Sequence, residues 1–329
     1  MTADTPFDLS HLTDLVSAYW PARAILTGQE VGIFAALGEG PADASELAAR
    51  TECSERGVEL LANALAGLGL LEKRESRFSN SPFADAHLVP GKAEYLGGYL
   101  DHHVAIWERW DRLSEAVRAG TLEAAQRPGG LIRALVMAMH TSSQMHAESV
   151  VDSVDLAGVR RIIDIGGGSG DYAYAFLRRL PDATAVVFDL PAALPTSLEY
   201  AGLAGMAERV ELRPGDYFAD EFGDGFGLAV VSNILHSLDW AGCVMVLAKA
   251  YRCLDPGGRV VVHDFVLTED GTQPQWASLF SLNMLTVGSP GRSYTHVEIR
   301  RMLEEARFGD VEHVPMEGDS DLLMGTRLA

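Results

Sequence analysis

The sequence predicts an α/β chain in two parts: a helical, winged-helix-like module over roughly the first hundred residues, then a larger domain built on a parallel sheet. Three observations carry this. Apolar residues recur at helical spacing before about residue 150. After Val159, apolar β-branched runs alternate with helical stretches, as buried parallel strands and their crossovers do. The stretch RRIIDIGGGSGDYAYAFLRRLPDATAVVFDLP, from Arg160 to Pro191, reads as strand, glycine turn, helix and a second strand ending in an acid. With 329 residues, 47% of them hydrophobic, there is material for one large core or two smaller ones.

In chain order, PARAILTGQEVGIFAALGEG sets Ala24, Ile25, Gly28, Ile33 and Leu37 along one apolar stripe that stops at Gly38 and Gly40. Asp43 or Ser45 can cap the next helix, and a further helix is expected from about Ser54 to about Leu68. Two short extended pieces, LLEKRE and RFSNS, complete a winged helix-turn-helix. DNA binding would be its obvious use, but over residues 1–100 acids outnumber bases two to one, where a DNA reader needs a basic face. Packing against another subunit is the alternative. From Glu94 to about Glu148 the pattern is again helical, with TLEAAQRPGG as a separator. His102 and His103 are adjacent, so on a helix they point about 100° apart and make a poor chelating pair.

The strands expected after Val159 are RIIDIG, TAVVFDL, RVELRPG, LAVVSNIL and RVVVHDFVL, with Asp255-Pro256-Gly257-Gly258 as a break before the last. Right-handed crossovers put a ligand at the carboxyl ends of such strands. The first ends in Asp164 and the turn with Gly166, Gly168 and Gly170, which permits close backbone approach and aims helix N–H groups at a ligand. This turn alone suits a dinucleotide and a nucleoside-methionine equally. Asp171, where a third glycine would be expected, and Asp164, placed for an ammonium group, favour the latter. Asp189 can accept both hydroxyls of a ribose. Asp216 can accept from an adenine amino group while Tyr217 covers the ring, although Pro-Gly-Asp is also a common turn. His236, just past the fourth strand, can take a proton from a substrate hydroxyl.

The formal charge of −20 opposes nucleic acid and anionic membrane as partners. Three scattered cysteines, Cys53, Cys243 and Cys253, make neither a disulfide framework nor a zinc site. No metal is expected. The opening MTADTPFDLSHLTDL lacks a signal-peptide pattern, and a cytoplasmic protein is expected.

The ordered set DIGGGSGDY, FDLP, RPGDYF, NILHSLDW, PGGRVVVHDFVL and SLNMLTVGSPGRSYTHVEIRRMLEEARF resembles the S-adenosylmethionine-dependent O-methyltransferases of the caffeic acid and acetylserotonin type, in their bacterial secondary-metabolism branch. The resemblance covers nearly the whole chain. It implies a Rossmann-like class I methyltransferase domain with an antiparallel edge strand over 149–329, linking helices over 101–148, and a dimerisation domain over 1–100 that forms a homodimer and contributes to the neighbour's substrate pocket. It implies cofactor contacts at Ser143, Asp164, Gly166, Gly168, Asp189, Leu190, Asp216, Tyr217, Ser232 and Asn233. It implies acceptor contacts at Met139, Asn283 and Met284, a catalytic base at His236, and Asp264 as its acidic partner; Trp107 and Phe280 offer flat surface for an aromatic acceptor, and Asp101 is a further candidate. For each of the apolar residues named, core packing is the competing reading. The chain departs from the family at Ser237-Leu238, where His-Asp-Trp is usual; Asp239 and Trp240 come later. A second acid beside the histidine would fall near Ser293, which is not acidic.

The reaction expected is methyl transfer to the hydroxyl of a small aromatic or polyketide-like acceptor. The rival readings are a C-methyltransferase, a relative that binds the cofactor without transferring its methyl, a nicotinamide-linked oxidoreductase, and a winged-helix regulator.

Overall fold

The structure, a computed structural model, describes residues 7–92, 94–123 and 129–328. They divide into two compact units, up to Ala105 and from Ile106 onward.

In the first unit, α1 (Leu9–Ser17) and α2 (Tyr19–Glu30) precede α3 (Ile33–Gly38), α4 (Ala44–Thr51) and α5 (Glu55–Gly67). The single apolar stripe expected over this region is two helices. Gly32 adopts φ +75°, so the chain turns between α2 and α3 and both present apolar faces to one core. Asp43 and Glu46 form a reciprocal capping box at the start of α4, and Ser54 caps α5, which stops at Leu68 as expected. The antiparallel pair β1 (Leu71–Arg74) and β2 (Arg77–Asn80) is the wing, followed by α6 (Pro82–His87). Ile33, Phe34, Leu47, Val58, Ala62, Leu65 and Phe78 fill the core. Helix α1 contributes no buried residue to it.

Helix α7 (Gly97–Trp110) carries the chain into the second unit, followed by α8 (Leu113–Ala119) and α9 (Gly129–Asp152). Part of the separator expected over TLEAAQRPGG, residues 124–128, lies outside the described residues. Then come β3 (Arg161–Ile165), α10 (Asp171–Arg179), β4 (Thr184–Asp189), α11 (Leu194–Leu203), β5 (Val210–Pro214), β6 (Phe226–Ser232), α12 (Trp240–Cys253) and β7 (Leu254–Asp264). The unit closes with α13 (Gln275–Thr286), α14 (His296–Glu305), β8 (Gly309–Val314) and β9 (Asp321–Thr326). The sheet runs β5-β4-β3-β6-β7-β9-β8. β3 to β7 are parallel; β9 and β8 are antiparallel. The break expected at Asp255–Gly258 is an irregularity within β7, whose register against β6 shifts between Phe226 and Leu228.

Alternation along the strands sorts side chains between the two faces. Ile163, Ile165, Val231, Val260 and Val262 meet α12 and α14 on one. Ile162, Val230 and Val261 meet α10 on the other. Asp164, Ser232 and His263 therefore share the α10 face, and Asp264 lies on the opposite one. Among the described residues, no helix is long and apolar enough to cross a membrane.

Candidate active site

The carboxyl ends of β3, β4, β6 and β7 gather the polar groups of the second unit. At the tip of β3, Gly166 takes φ +64°, and a Cβ there would lie 2.4 Å from Ile234 Cδ1. The Ile234 side chain thus takes the space a Cβ would need, and with the positive φ this fixes glycine at the turn. Its shape is held from the next strand: the Asp189 carboxylate accepts from Gly168 N at 2.7 Å and from Leu190 N at 2.6 Å. Burial raises the Asp189 pKa, and those two donors pull it down. Asp164 is buried under the turn, accepting from Ala173 N at 3.3 Å. Burial pushes its carboxyl up to about 7, and the negative charges of Asp171 and Asp189 add to the rise.

Past β5, the Asp216 carboxylate accepts from Phe218 N at 2.8 Å. Lys249 of α12 donates to the carbonyls of Tyr217, Phe218 and Asp220 at 2.9, 3.0 and 2.9 Å, which fixes the loop carrying Tyr217. At the end of β6, Asn233 is left-handed at φ +56°, and its Oδ1 is buried with no partner among the described residues. Ser232 pairs across to His263 in register, and its hydroxyl lies 3.1 Å from His263 Nδ1.

A 3₁₀ turn at Leu235–Ser237 presents His236. Its Nδ1 stands 2.6 Å from Asp264 Oδ1, at the end of β7, and its backbone N–H donates to Asp264 Oδ2 at 3.2 Å. Phe265 N donates to the same carboxylate at 2.8 Å. The imidazole meets the Phe280 ring edge-on at 4.7 Å and the Phe265 ring at 6.0 Å. Its Nε2 has no partner among the described residues.

The structure thus brings His236, Asp264 and Phe280 together, and places Asp164, Gly166, Gly168, Asp189 and Leu190 about one turn. Asn283 and Met284 lie one turn beyond Phe280 on α13, and Asn283 Oδ1 accepts from Trp110 Nε1 at 2.9 Å. Met139 and Ser143 are four apart on α9, which packs on α10; Trp107 is half-buried on α7. Asp101 belongs to the first unit, where Gln29 Nε2 donates to it at 3.3 Å. Ser293 is fully buried, with its Oγ unpartnered among the described residues. Asp239 and Trp240 serve the scaffold: Asp239 caps α12, and Trp240 Nε1 donates to Glu305 of α14 at 3.0 Å.

Sequence reasoning missed a buried polar network on the α10 face. His263 Nδ1 lies 2.9 Å from the Tyr172 hydroxyl as well as near Ser232, and its Nε2 lies 2.9 Å from Ser320 Oγ. Burial lowers the pKa of His263 to about 4, so its ring stays neutral at physiological pH. The signal was present in VVVHDF, where alternation sends His263 and Asp264 to opposite faces of the sheet. It also missed His140, whose Nδ1 lies 2.8 Å from Asp171. Among the described residues, no three His, Cys, Asp or Glu side chains converge as metal ligands.

Residues 105–309 match the model of the O-methyltransferase domain, and residues 13–90 that of the O-methyltransferase dimerisation domain. The chain belongs to the S-adenosylmethionine-dependent O-methyltransferase family. Within it, the chain is 36% identical to a 3-hydroxy-5-methyl-1-naphthoate 3-O-methyltransferase of Streptomyces sahachiroi, over 92% of this chain and 90% of the relative. It is 31% identical to the tetracenomycin polyketide synthesis 8-O-methyl transferase of Streptomyces glaucescens, over 98% and 97%. Human N-acetylserotonin methyltransferase, solved in complex with S-adenosylmethionine, shares the fold at a TM-score of 0.87 and 24% identity, covering all of both chains. This O-methyltransferase is thus similar to Streptomyces enzymes named for naphthoate methylation and polyketide synthesis. The fold expected from sequence, a helical dimerisation domain before a class I methyltransferase sheet with an antiparallel edge strand, is the one observed, with two antiparallel strands, β9 and β8, at that edge.

Proposed function

We propose that this O-methyltransferase methylates a hydroxyl on a small fused aromatic acceptor of the polyketide or naphthoate kind, with His236 as general base. The observation that carries this is the buried His236–Asp264 pair at 2.6 Å. A carboxylate accepts, so Nδ1 carries the proton, and Nε2 is left as the basic nitrogen. A hydroxyl within hydrogen-bond reach of Nε2 can hand over its proton as it becomes nucleophilic, and Asp264 steadies the imidazolium that forms. Phe280 and Phe265 border the imidazole with flat apolar surface suited to an aromatic ring. One Streptomyces relative is named for a hydroxynaphthoate acceptor and the other for a polyketide synthesis, which supports this chemistry.

The donor set fits S-adenosylmethionine. Gly166 and Gly168 would admit the methionine end, with Asp164 toward its ammonium group and Ser143 toward its carboxylate. Asp189 would hold the ribose, with Leu190 beside it. Asp216 and Tyr217 would hold the adenine, with Ser232 and Asn233 Oδ1, which has no partner among the described residues, as further contacts. When bound, the cofactor supplies a methyl group already activated on a sulfonium. The protein's task is then alignment of the acceptor oxygen and removal of its proton. Met139, Met284, Asn283 and Trp107 are assigned to the acceptor.

A homodimer through the first unit is supported by the exposed apolar residues Leu9, Leu12, Val16, Tyr19 and Trp20 on α1 and α2, within or beside the match to the dimerisation domain. The test of the reaction is incubation with methyl-labelled S-adenosylmethionine and hydroxynaphthoates, with mass and NMR of the product. A new methoxy signal supports the proposal. A new carbon–methyl bond, or no labelled product with any acceptor, refutes it.

A further inference from the structure

We propose that Asn283 selects acceptors bearing a hydrogen-bond-accepting oxygen, carbonyl or carboxylate, a short way along the ring system from the hydroxyl, and that Trp110 sets this selectivity. The inference rests on the methyl-transfer reading above and names the substrate class within it.

An indole N–H can only donate. With Trp110 Nε1 2.9 Å from the carboxamide oxygen of Asn283, the amide is oriented by chemistry: Oδ1 is occupied, and the other branch is NH₂. That group has no partner among the described residues and is not a sealed interior atom. It offers two donors and no acceptor. The clamp is itself anchored. The neighbouring Arg109 donates through Nη1 to the carbonyl of Thr286 at 3.4 Å, tying the end of α7 to the end of α13.

Asn283 follows Phe280 by three residues on α13, which puts them on one face and separates them by roughly 4.5 Å along the axis. Phe280 is the ring packed against His236. An acceptor whose hydroxyl sits at His236 Nε2 and whose ring lies along Phe280 therefore brings its next substituent to the Asn283 amide. An oxygen there satisfies the donors. A bare C–H edge leaves them unpaired away from water, and such an analogue is discriminated against by tenfold or more.

The test compares 3-hydroxy-1-naphthoate, its methyl ester and 2-naphthol, which keeps the hydroxyl and lacks the second oxygen. Affinities are measured by calorimetry with S-adenosylhomocysteine present, and kcat/KM with labelled cofactor. Wild type should favour the naphthoate and the ester over 2-naphthol by tenfold or more. The ester arm separates a carbonyl requirement, with the two alike, from a charge requirement, with the ester weak. Asn283→Asp keeps the Trp110 bond but turns an acceptor toward the ligand; it should abolish the preference, falling harder on the naphthoate than on 2-naphthol. Trp110→Phe keeps the ring and releases the amide, and should lose part of the preference. Equal affinity of wild type for all three, an equal loss on all three in Asn283→Asp, or no binding of any would overturn the inference. A preference that depends on Asn283 without labelled product would uphold it and sink the methyl-transfer reading alone.

Discussion

The two units treat polarity in opposite ways. The first keeps charge out of its interior, where Ser81 is the buried polar residue among those described, and turns Leu9, Leu12, Val16, Tyr19 and Trp20 outward. The second buries charge: Asp164, His236, His263 and Asp264 lie at or just past the ends of its strands, and Asp171 at the start of α10. Exposed apolar surface is stabilised by covering it, which calls for a partner. A buried carboxylate costs free energy unless something compensates it, which calls for chemistry or a ligand. On the proposed reading, association belongs to one unit and reaction to the other.

The largest effect that would break this division is on assembly. Leu12→Glu with Trp20→Glu places two like charges on the apolar face and should turn the dimer into a monomer by sedimentation, with cofactor affinity within a few fold of wild type. Persistence of the dimer would show that the exposed face is not the contact.

Next in size is Asp189→Asn. The amide can still accept from Gly168 N but loses its charge, and S-adenosylhomocysteine should bind about ten- to a hundredfold more weakly by calorimetry. An unchanged affinity removes Asp189 from the cofactor site.

The third concerns Asp164 and the pH dependence of stability. Its folded carboxyl holds a proton up to about pH 7, whereas the unfolded one loses it near pH 4. The folded state binds the extra proton between those values, so this group makes stability fall as pH rises through that window. In the absence of cofactor, Asp164→Asn should match wild type near pH 4 and be more stable at pH 8, by on the order of 2–4 kcal/mol in urea titrations. Parallel stability–pH curves would mean that Asp164 does not titrate in that window. Saturating cofactor should narrow the gap, because an ammonium group beside Asp164 favours its ionised form.

The smallest is Ser293→Ala. Its hydroxyl is buried and unpartnered among the described residues, and replacing it with hydrogen should stabilise the protein by about 1 kcal/mol. A loss of stability instead would reveal a partner for that hydroxyl.

Much of this division was legible in the sequence. The β-branched runs marked β3 to β7, and the strand-end rule pointed to Asp164, Asp189, Asp216 and His236. Local chemistry offered Asp43 or Ser45 as a cap, of which Asp43 is the one used, and marked a helix start at about Ser54. What stayed hidden depended on contacts distant in the chain. The break at Gly32 was masked because α2 and α3 keep one apolar period across it. Strands β8 and β9 lack the β-branched runs of the parallel strands, so only the resemblance suggested an antiparallel edge. The Trp110–Asn283 bond joins helices far apart in sequence, and nothing in either segment announces it. His263 looked like a neighbour of Asp264, yet alternation puts the two on opposite faces, one in a neutral network and the other beneath His236.

The central claim is that the buried His236–Asp264 pair performs proton transfer for methylation in the second unit. The most direct test is the rate of labelled-methyl transfer to 3-hydroxy-1-naphthoate by wild type and His236→Ala, with S-adenosylhomocysteine affinity measured on both. The expected result is a fall in kcat of roughly a hundred- to ten-thousandfold with cofactor affinity preserved. Transfer by His236→Ala at the wild-type rate would contradict the claim.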